Sequence, residues 1–311
     1  MYDTDLMIRI ARMYYEKNMS QQEIADVVYV SRSMVSRMIK QARDIGIVEI
    51  NIKSSFENYY KLENQLKNCF PNCEMMIAYS ENSDLDEEFD SVCGMGSYYI
   101  ENCLNNNSVF AVARGKTVAN TVSMLKPDRN FPDMQIVQLT GSLSINNPNC
   151  DEMNNAQKVQ TLYGCKLNRF FAPYLMEDKN SKNMICKHQT TAKALEMGKQ
   201  TNIFISGVDS LLFWKDYLEE KDFNNLTKNG AIGCMCGYFF DINGNIVETS
   251  LYDRAIIPDR NIFKKVDKRI CIANDRFKLN ALLGALRGEL CNVLITNSKI
   301  ATRLLEMEKS K

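Results

Sequence analysis

Arg32, Arg37, Lys40 and Arg43 fall within residues 30–43, a stretch with no acidic residue. Ser33 and Ser36 share the helical face that this spacing defines. Unopposed positive charge with hydroxyls is the chemistry of a helix that lies in the DNA major groove. Side chains of its first turn reach base edges or phosphates, and the cations further along meet phosphates. The plainer alternative is a helical hairpin with a solvated basic face. A second group of residues suits an anion. Gly115, Lys116 and Thr117 follow the apolar run Val109–Val112 and open a helical stretch. Glycine permits close backbone approach, a helix start offers free N–H groups, and the lysine and threonine add charge and a hydroxyl. That combination fits a phosphate, although a plain strand-to-helix turn uses the same residues.

The DNA-facing residues need two helices to hold them. Ser20 with Glu23 three places on is a capping box ahead of Ile24, Ala25 and Val28. Ser31 caps the next helix, whose apolar face is Val35, Met38, Ile39 and Ala42. Gln21 and Ser31 complete the expected DNA-binding set of Arg32, Ser33, Ser36, Arg37, Lys40 and Arg43. Tyr29 stands in the turn where glycine is usual, because the backbone there tends to positive φ. A tyrosine in that region costs about 1 kcal/mol. An amphipathic helix over residues 3–18 precedes the pair. A short alternating strand over 47–52 fits a wing packed on it, and residues 53–58 read as a hinge.

At 311 residues the chain has room for one small and one large domain. The expected boundaries are 1–53 for a winged helix-turn-helix, 54–72 for a linking helix and 73–311 for a larger domain. Formal net charge is zero, so positive charge is local and DNA is a partner of the N-terminal piece alone. No run of about 18 apolar residues and no signal peptide is visible, which points to a cytoplasmic protein without a membrane partner. Eleven cysteines lack a metal-like frame: Cys234 and Cys236 have one residue between them, Cys69 and Cys73 three. They read as reduced, mostly buried thiols. His188 is the only histidine, which removes most zinc sites and histidine-based triads. We expect no metal and no cofactor.

Beyond residue 73 short apolar strands alternate with helices. Strands are expected at 74–79, 109–112, 134–139, 202–206, 231–240, 269–273 and 293–296. Helices are expected at 86–103, after Gly115, and at 152–163, 276–286 and 298–307. This rhythm implies an α/β, doubly wound sheet with helices on both faces. Residues 241–245 form a tight turn at Asn243 and Gly244. Ligands of such sheets bind beyond the carboxyl ends of the strands. Those ends carry Gly115, Lys116 and Thr117; Gly141 and Ser142; Gly207 and Asp209; and Asp275 and Lys278. Asp209 suits sugar hydroxyls or an N-cap. Lys278 suits a ligand anion or a surface position. Together these loops fit a phosphorylated sugar.

Several ordered motifs resemble the SorC family of sugar-binding transcriptional regulators over nearly the whole length. They are MSQQEIADVVYVSRSMVSRMIKQARDIGIVEI, ARGKT at 113–117, VQLTGS at 137–142, GAIGCMCGYFFDINGN at 230–245 and ALRGELCNVLITNSKIATRLLE at 285–306. The resemblance implies a winged helix-turn-helix plus a Rossmann-like effector domain of the sugar-phosphate isomerase/deaminase type. It further implies a repressor of carbohydrate-metabolism genes, a homodimer or homotetramer on double-stranded operator DNA, controlled by a phosphorylated sugar. By position the family's phosphate loop falls on Gly115, Lys116 and Thr117. Its second loop falls on Gly141 and Ser142, and its later sugar-contacting segment near Asp275 and Lys278. Four positions depart from the family pattern. Asn274 and Asp275 replace paired glycines, and Cys234 and Asn297 replace acids. Asp275 beside a phosphate would repel it.

Two alternatives belong to other classes. One is a ligand-independent DNA-binding oligomer with a degenerate pocket, which the four departures favour. The other is a sugar-phosphate isomerase or deaminase fused to a DNA-binding domain. That enzyme needs a base and a proton shuttle, yet no histidine follows SGVDSLLFW, and nothing places Asp209 and Glu248 as a pair. We therefore expect no enzyme.

Overall fold

A computed structural model describes residues 3–48, 57–80, 84–143 and 150–310. The chain divides into two compact units, residues 1–55 and 56–311. In the smaller unit, α1 (Thr4–Tyr15), α2 (Gln21–Val28) and α3 (Arg32–Asp44) enclose Met7, Ile10, Met13, Ile24, Ala25, Val35, Met38 and Ile39. Local chemistry sets the ends of these helices. The Ser20 amide donates to Glu23 Oε2 at 2.8 Å, and the Glu23 amide donates to Ser20 Oγ at 3.2 Å. The Met34 amide donates to Ser31 Oγ at 3.2 Å. Tyr29 closes α2 in the left-handed region at φ 55°, so the strain expected there is tolerated rather than relieved by a reshaped turn. The Val30 amide reaches back to the Ala25 carbonyl at 3.1 Å and locks the turn. Of the expected wing strand and hinge, residues 49–56 lie outside the described residues.

The larger unit runs α4 (Glu57–Cys69), β1 (Glu74–Ala78), α5 (Leu85–Cys103), β2 (Val109–Val112), α6 (Lys116–Ser123), β3 (Gln135–Val137), α7 (Glu152–Tyr163) and β4 (Lys166–Asn168). It continues through α8 (Lys179–Lys187), α9 (Gln189–Gly198), β5 (Ile203–Ser206), β6 (Asp209–Ser210), α10 (Glu220–Lys228), β7 (Gly233–Met235) and β8 (Tyr238–Phe240). It ends with α11 (Leu251–Arg254), α12 (Arg260–Phe263), β9 (Lys268–Ala273), α13 (Leu279–Arg287), β10 (Val293–Asn297) and α14 (Ser298–Lys309). Seven strands form one parallel sheet in the order β1-β10-β9-β5-β2-β3-β4. Successive residues of each strand point to opposite faces. Phe110, Val112, Ile203, Ile205, Ile270 and Ile272 pack with Val92, Val118, Val122 and Val159 of α5, α6 and α7. Ala111, Phe204, Cys271 and Leu294 pack with Leu66, Leu282, Ala301 and Leu304 of α4, α13 and α14. Burial on both faces explains why the central strands read as unbroken apolar runs. Helix α4, expected as a link, lies within the larger unit: Leu66 is fully buried in this core, and Glu63 accepts the Ile77 amide of edge strand β1 at 2.8 Å.

Strand order reverses at the centre. From β2 the chain steps outward through β3 to β4, then β5 returns to the other side of β2 and the path runs towards β1. Two expectations need correction. Residues 231–240 are not one strand but the hairpin β7–β8, which joins β6 in a small antiparallel sheet. Cys236 (φ 49°) and Gly237 (φ 84°) make its two-residue turn, the conformation that hairpin twist demands. Residues 276–286 are not one helix either. A 3-10 turn, Arg276–Lys278, comes first, capped by Asp275, and α13 follows. Beside the small sheet, Trp214 packs with Tyr174, Phe213 and Phe239.

Candidate functional site

A cavity of about 970 Å³ opens beyond the carboxyl ends of β2 and β5, where strand order reverses. Its walls bring together Gly115, Lys116, Thr117, Gly141, Gly207, Asp209, Asp275 and Lys278. Ser142 is not among the lining residues. Its hydroxyl donates to Asp151 Oδ2 at 2.9 Å and its amide to the Ala172 carbonyl at 2.9 Å.

Gly115 starts α6 at φ 122°, a conformation closed to other residues, and no side chain caps the helix. Its own amide donates to the Cys150 carbonyl at 2.8 Å, which pins the loop. The first turn therefore presents the following N–H groups to a ligand. The Lys116 ammonium lies 5.0 Å from the Phe89 ring centre. Gly141 has a packing reason: a Cβ there would sit 2.3 Å from the Pro173 carbonyl oxygen.

Arg114, immediately before Gly115, organises a second part of the lining. Its guanidinium pairs with Asp209 and lies 4.5 Å from the Phe213 ring centre and 5.3 Å from that of Trp214. Lys278 approaches the other Asp209 oxygen at 3.8 Å. Asp209 therefore serves two cations and is not an N-cap. The 95 residues that separate Arg114 from Asp209 hid this pair from local reading, although Arg114 stands in the ARGKT motif.

Glu152, also unforeseen, lines the cavity at 7% exposure. The Thr140 hydroxyl donates to its Oε1, while Oε2 has no partner. Burial pushes its pKa up to about 8 against the lowering effects of the Thr140 hydrogen bond and the Arg114 charge. Its only local signal is an acid at the first position of a helix. Elsewhere in the lining Lys299 pairs with the buried Glu88 at 2.5 Å. The unusual amides meet as well: Asn297 Nδ2 donates to Asn274 Oδ1, and Asn297 Oδ1 accepts the Ile300 amide at 2.8 Å to cap α14. Asp275 accepts the Phe277 amide at 2.9 Å. Cys234 is fully buried, and burial raises its thiol pKa well above the ordinary value.

Glu248 pairs with Arg260 at 2.8 Å and is not among the lining residues; His188 is exposed between α8 and α9. The fold does not bring either to Asp209 as an acid–base partner. Among the described residues, no cluster of three or more His, Cys, Asp or Glu could hold a metal. No described helix is long and apolar enough to cross a membrane. In the smaller unit Arg32, Ser33, Ser36, Arg37, Lys40 and Arg43 are all exposed along α3, as is Ser31 at its cap. Gln21 is half-buried and shares a shallow hollow with Ser36, Arg37, Lys40 and Arg43.

A family model for a sugar-binding domain matches residues 54–306. The chain belongs to this sugar-binding family. Its relatives include the deoxyribonucleoside regulator of Bacillus subtilis, 28% identical across 96% of this chain and 97% of that one. The sorbitol operon regulator of Klebsiella pneumoniae is 26% identical over 98% of both chains. The crystal structure of that full-length SorC protein has a TM-score of 0.76 at 24% identity, covering 98% of this chain and 99% of its own. A transcriptional regulator from Streptococcus pneumoniae also reaches 0.76, at 21% identity over 81% of this chain and 98% of its own. At these identities the structures show a shared fold. The SorC resemblance read from the motifs holds, and these relatives are named as regulators rather than enzymes.

Proposed function

We propose that this SorC-family chain is a cytoplasmic DNA-binding transcriptional regulator, a repressor of carbohydrate-metabolism genes, controlled by a phosphorylated sugar. In this reading α2 and α3 are a helix-turn-helix within residues 1–53, and the larger unit holds the effector. A homodimer or homotetramer sets two copies of α3 about one DNA turn apart. The observation that carries the effector reading is the uncapped start of α6 beside Lys116, at the point where strand order reverses. A phosphate there meets free N–H groups and a cation, while Asp275 in the lining of the same cavity limits where the anion can sit. A thermal-shift screen against phosphorylated sugars and polyols, with unphosphorylated controls, tests it. A bound ligand at a hundredfold excess over Kd stabilises by about 2.7 kcal/mol. No shift from any compound would favour the ligand-independent oligomer, the reading to which Asp275 and the Asn274–Asn297 link lend weight.

Two substitutions separate the units' roles. Lys116→Ala should abolish the response to the sugar phosphate and leave effector-free DNA binding intact. Loss of both in a gel-shift titration would make the residue structural. Arg37→Ala should weaken operator binding by roughly 1–3 kcal/mol if it reads a base, and equally on all sequences if it touches phosphate alone. Unchanged binding would remove the assigned recognition face. The effector must bind the DNA-competent and DNA-incompetent states unequally, and the sign of that difference decides whether it releases or tightens repression.

A further inference from the structure

Among the described residues, two buried polar atoms of the cavity lining have no hydrogen-bond partner: Oε2 of Glu152 and Nε1 of Trp214. Trp214 is 2% exposed, and its indole N–H is buried without a hydrogen-bond acceptor. Buried donors and acceptors are almost always paired, and each exception needs a reason. Two exceptions in the lining of one cavity, both beside one cation, point to a shared one. Both flank the same guanidinium. Arg114 stacks on Trp214, and its charge acts on the Glu152 carboxyl. That cation is already matched by Asp209, which Lys278 also approaches. A second anion in this corner would find no unshared charge, whereas a hydroxyl would find one N–H donor and one carboxyl.

We infer that Glu152 and Trp214 form a hydroxyl-recognising subsite that holds the uncharged polyol end of the ligand. The indole N–H donates to one ligand oxygen, and the free side of the Glu152 carboxyl pairs with another. This rests on the sugar-phosphate reading above and assigns the end that carries no phosphate. Because burial holds the carboxyl protonated to about pH 8, it brings an O–H donor at neutral pH. The groups that face it are Arg114 after β2, Thr140 after β3, Asp151 at the cap of its own helix and Cys236 in the β7–β8 turn. Tyr174, in the same aromatic cluster as Trp214, has its hydroxyl committed to the Gly237 carbonyl at 3.0 Å.

The test is calorimetric titration of the full chain, as wild type, Trp214→Phe and Glu152→Gln. Probes are inorganic phosphate, a series of pentose and hexitol phosphates, and the free polyols. Trp214→Phe keeps the ring and removes the donor. It should weaken the best sugar phosphate about three- to tenfold and leave inorganic phosphate unchanged. Wild-type affinity for that sugar phosphate should fall up to about tenfold per pH unit above pH 8, and Glu152→Gln should flatten this profile. Equal losses for sugar phosphate and inorganic phosphate, or no loss for either, overturn the subsite and leave the phosphate site standing. If a free polyol binds as well as its phosphate, the phosphate reading fails. The subsite then stands only if Trp214→Phe weakens the polyol. Binding of no probe overturns both. Should Trp214→Phe not fold, the pH profile of the near-isosteric Glu152→Gln decides alone.

Discussion

Arg114→Ala is expected to lower the stability of the larger unit by about 3–5 kcal/mol. The Arg114 side chain is 13% exposed and that of Asp209 22%, so the pair is largely out of water. Removing the guanidinium leaves a half-buried carboxylate whose remaining cation among the described residues is Lys278 at 3.8 Å. It also strips a planar cation from the faces of Phe213 and Trp214. Arg114→Lys should fall between, because an ammonium keeps the charge but neither the fork nor the stacking plane. The double variant Arg114→Ala, Asp209→Asn should recover part of the loss, since no unpaired charge then remains. Urea unfolding of the four proteins measures these differences. A loss below about 1 kcal/mol for Arg114→Ala would place the pair in effective contact with water.

Glu152→Gln, in contrast, should stabilise the ligand-free protein, and by an amount that grows with pH. The carboxyl titrates near 4.5 in an unfolded chain and at about 8 in the fold. Between those values the unfolded chain has released a proton that the folded chain still holds, so rising pH favours unfolding. The wild type keeps its full stability below the unfolded value and loses it progressively as pH rises through the folded one. Each unit corresponds to about 1.4 kcal/mol, so the glutamine variant should gain about 3 kcal/mol at pH 7 and little at pH 5. Unfolding midpoints at the two pH values suffice. A difference that does not change with pH would mean that the carboxyl reaches solvent.

Chain ends that carry their own polar closure were readable from sequence. Ser20, Glu23 and Ser31 cap the helices they were expected to cap, and β2 has the limits its apolar run implies. Asn243 and Gly244 marked their turn, with Gly244 at φ 82°. The β7–β8 hairpin was missed because Cys236-Gly237 is a poor turn signal inside an apolar run. Strand β4 is three residues long and partly exposed, so it has no pattern to read. The loops around the cavity were found because each follows a recognisable strand. Its inner wall was not, because Arg114, Glu152 and Trp214 meet the foreseen Asp209 only through the reversal of strand order. Burial of Glu152 is a property of that assembled wall, and no spacing announces it.

The first helix of the larger unit and the last helix of the chain share one apolar seam. Leu66 and Phe70 belong to the same core as Leu304 and Leu305. The other end of that last helix borders the cavity through Asn297, Lys299 and Arg303. As wiring, this is short. One layer of apolar side chains joins a helix that starts at the cavity to the helix that opens the larger unit. A tilt of α14 at the cavity would reach α4 across that seam without passing through the sheet.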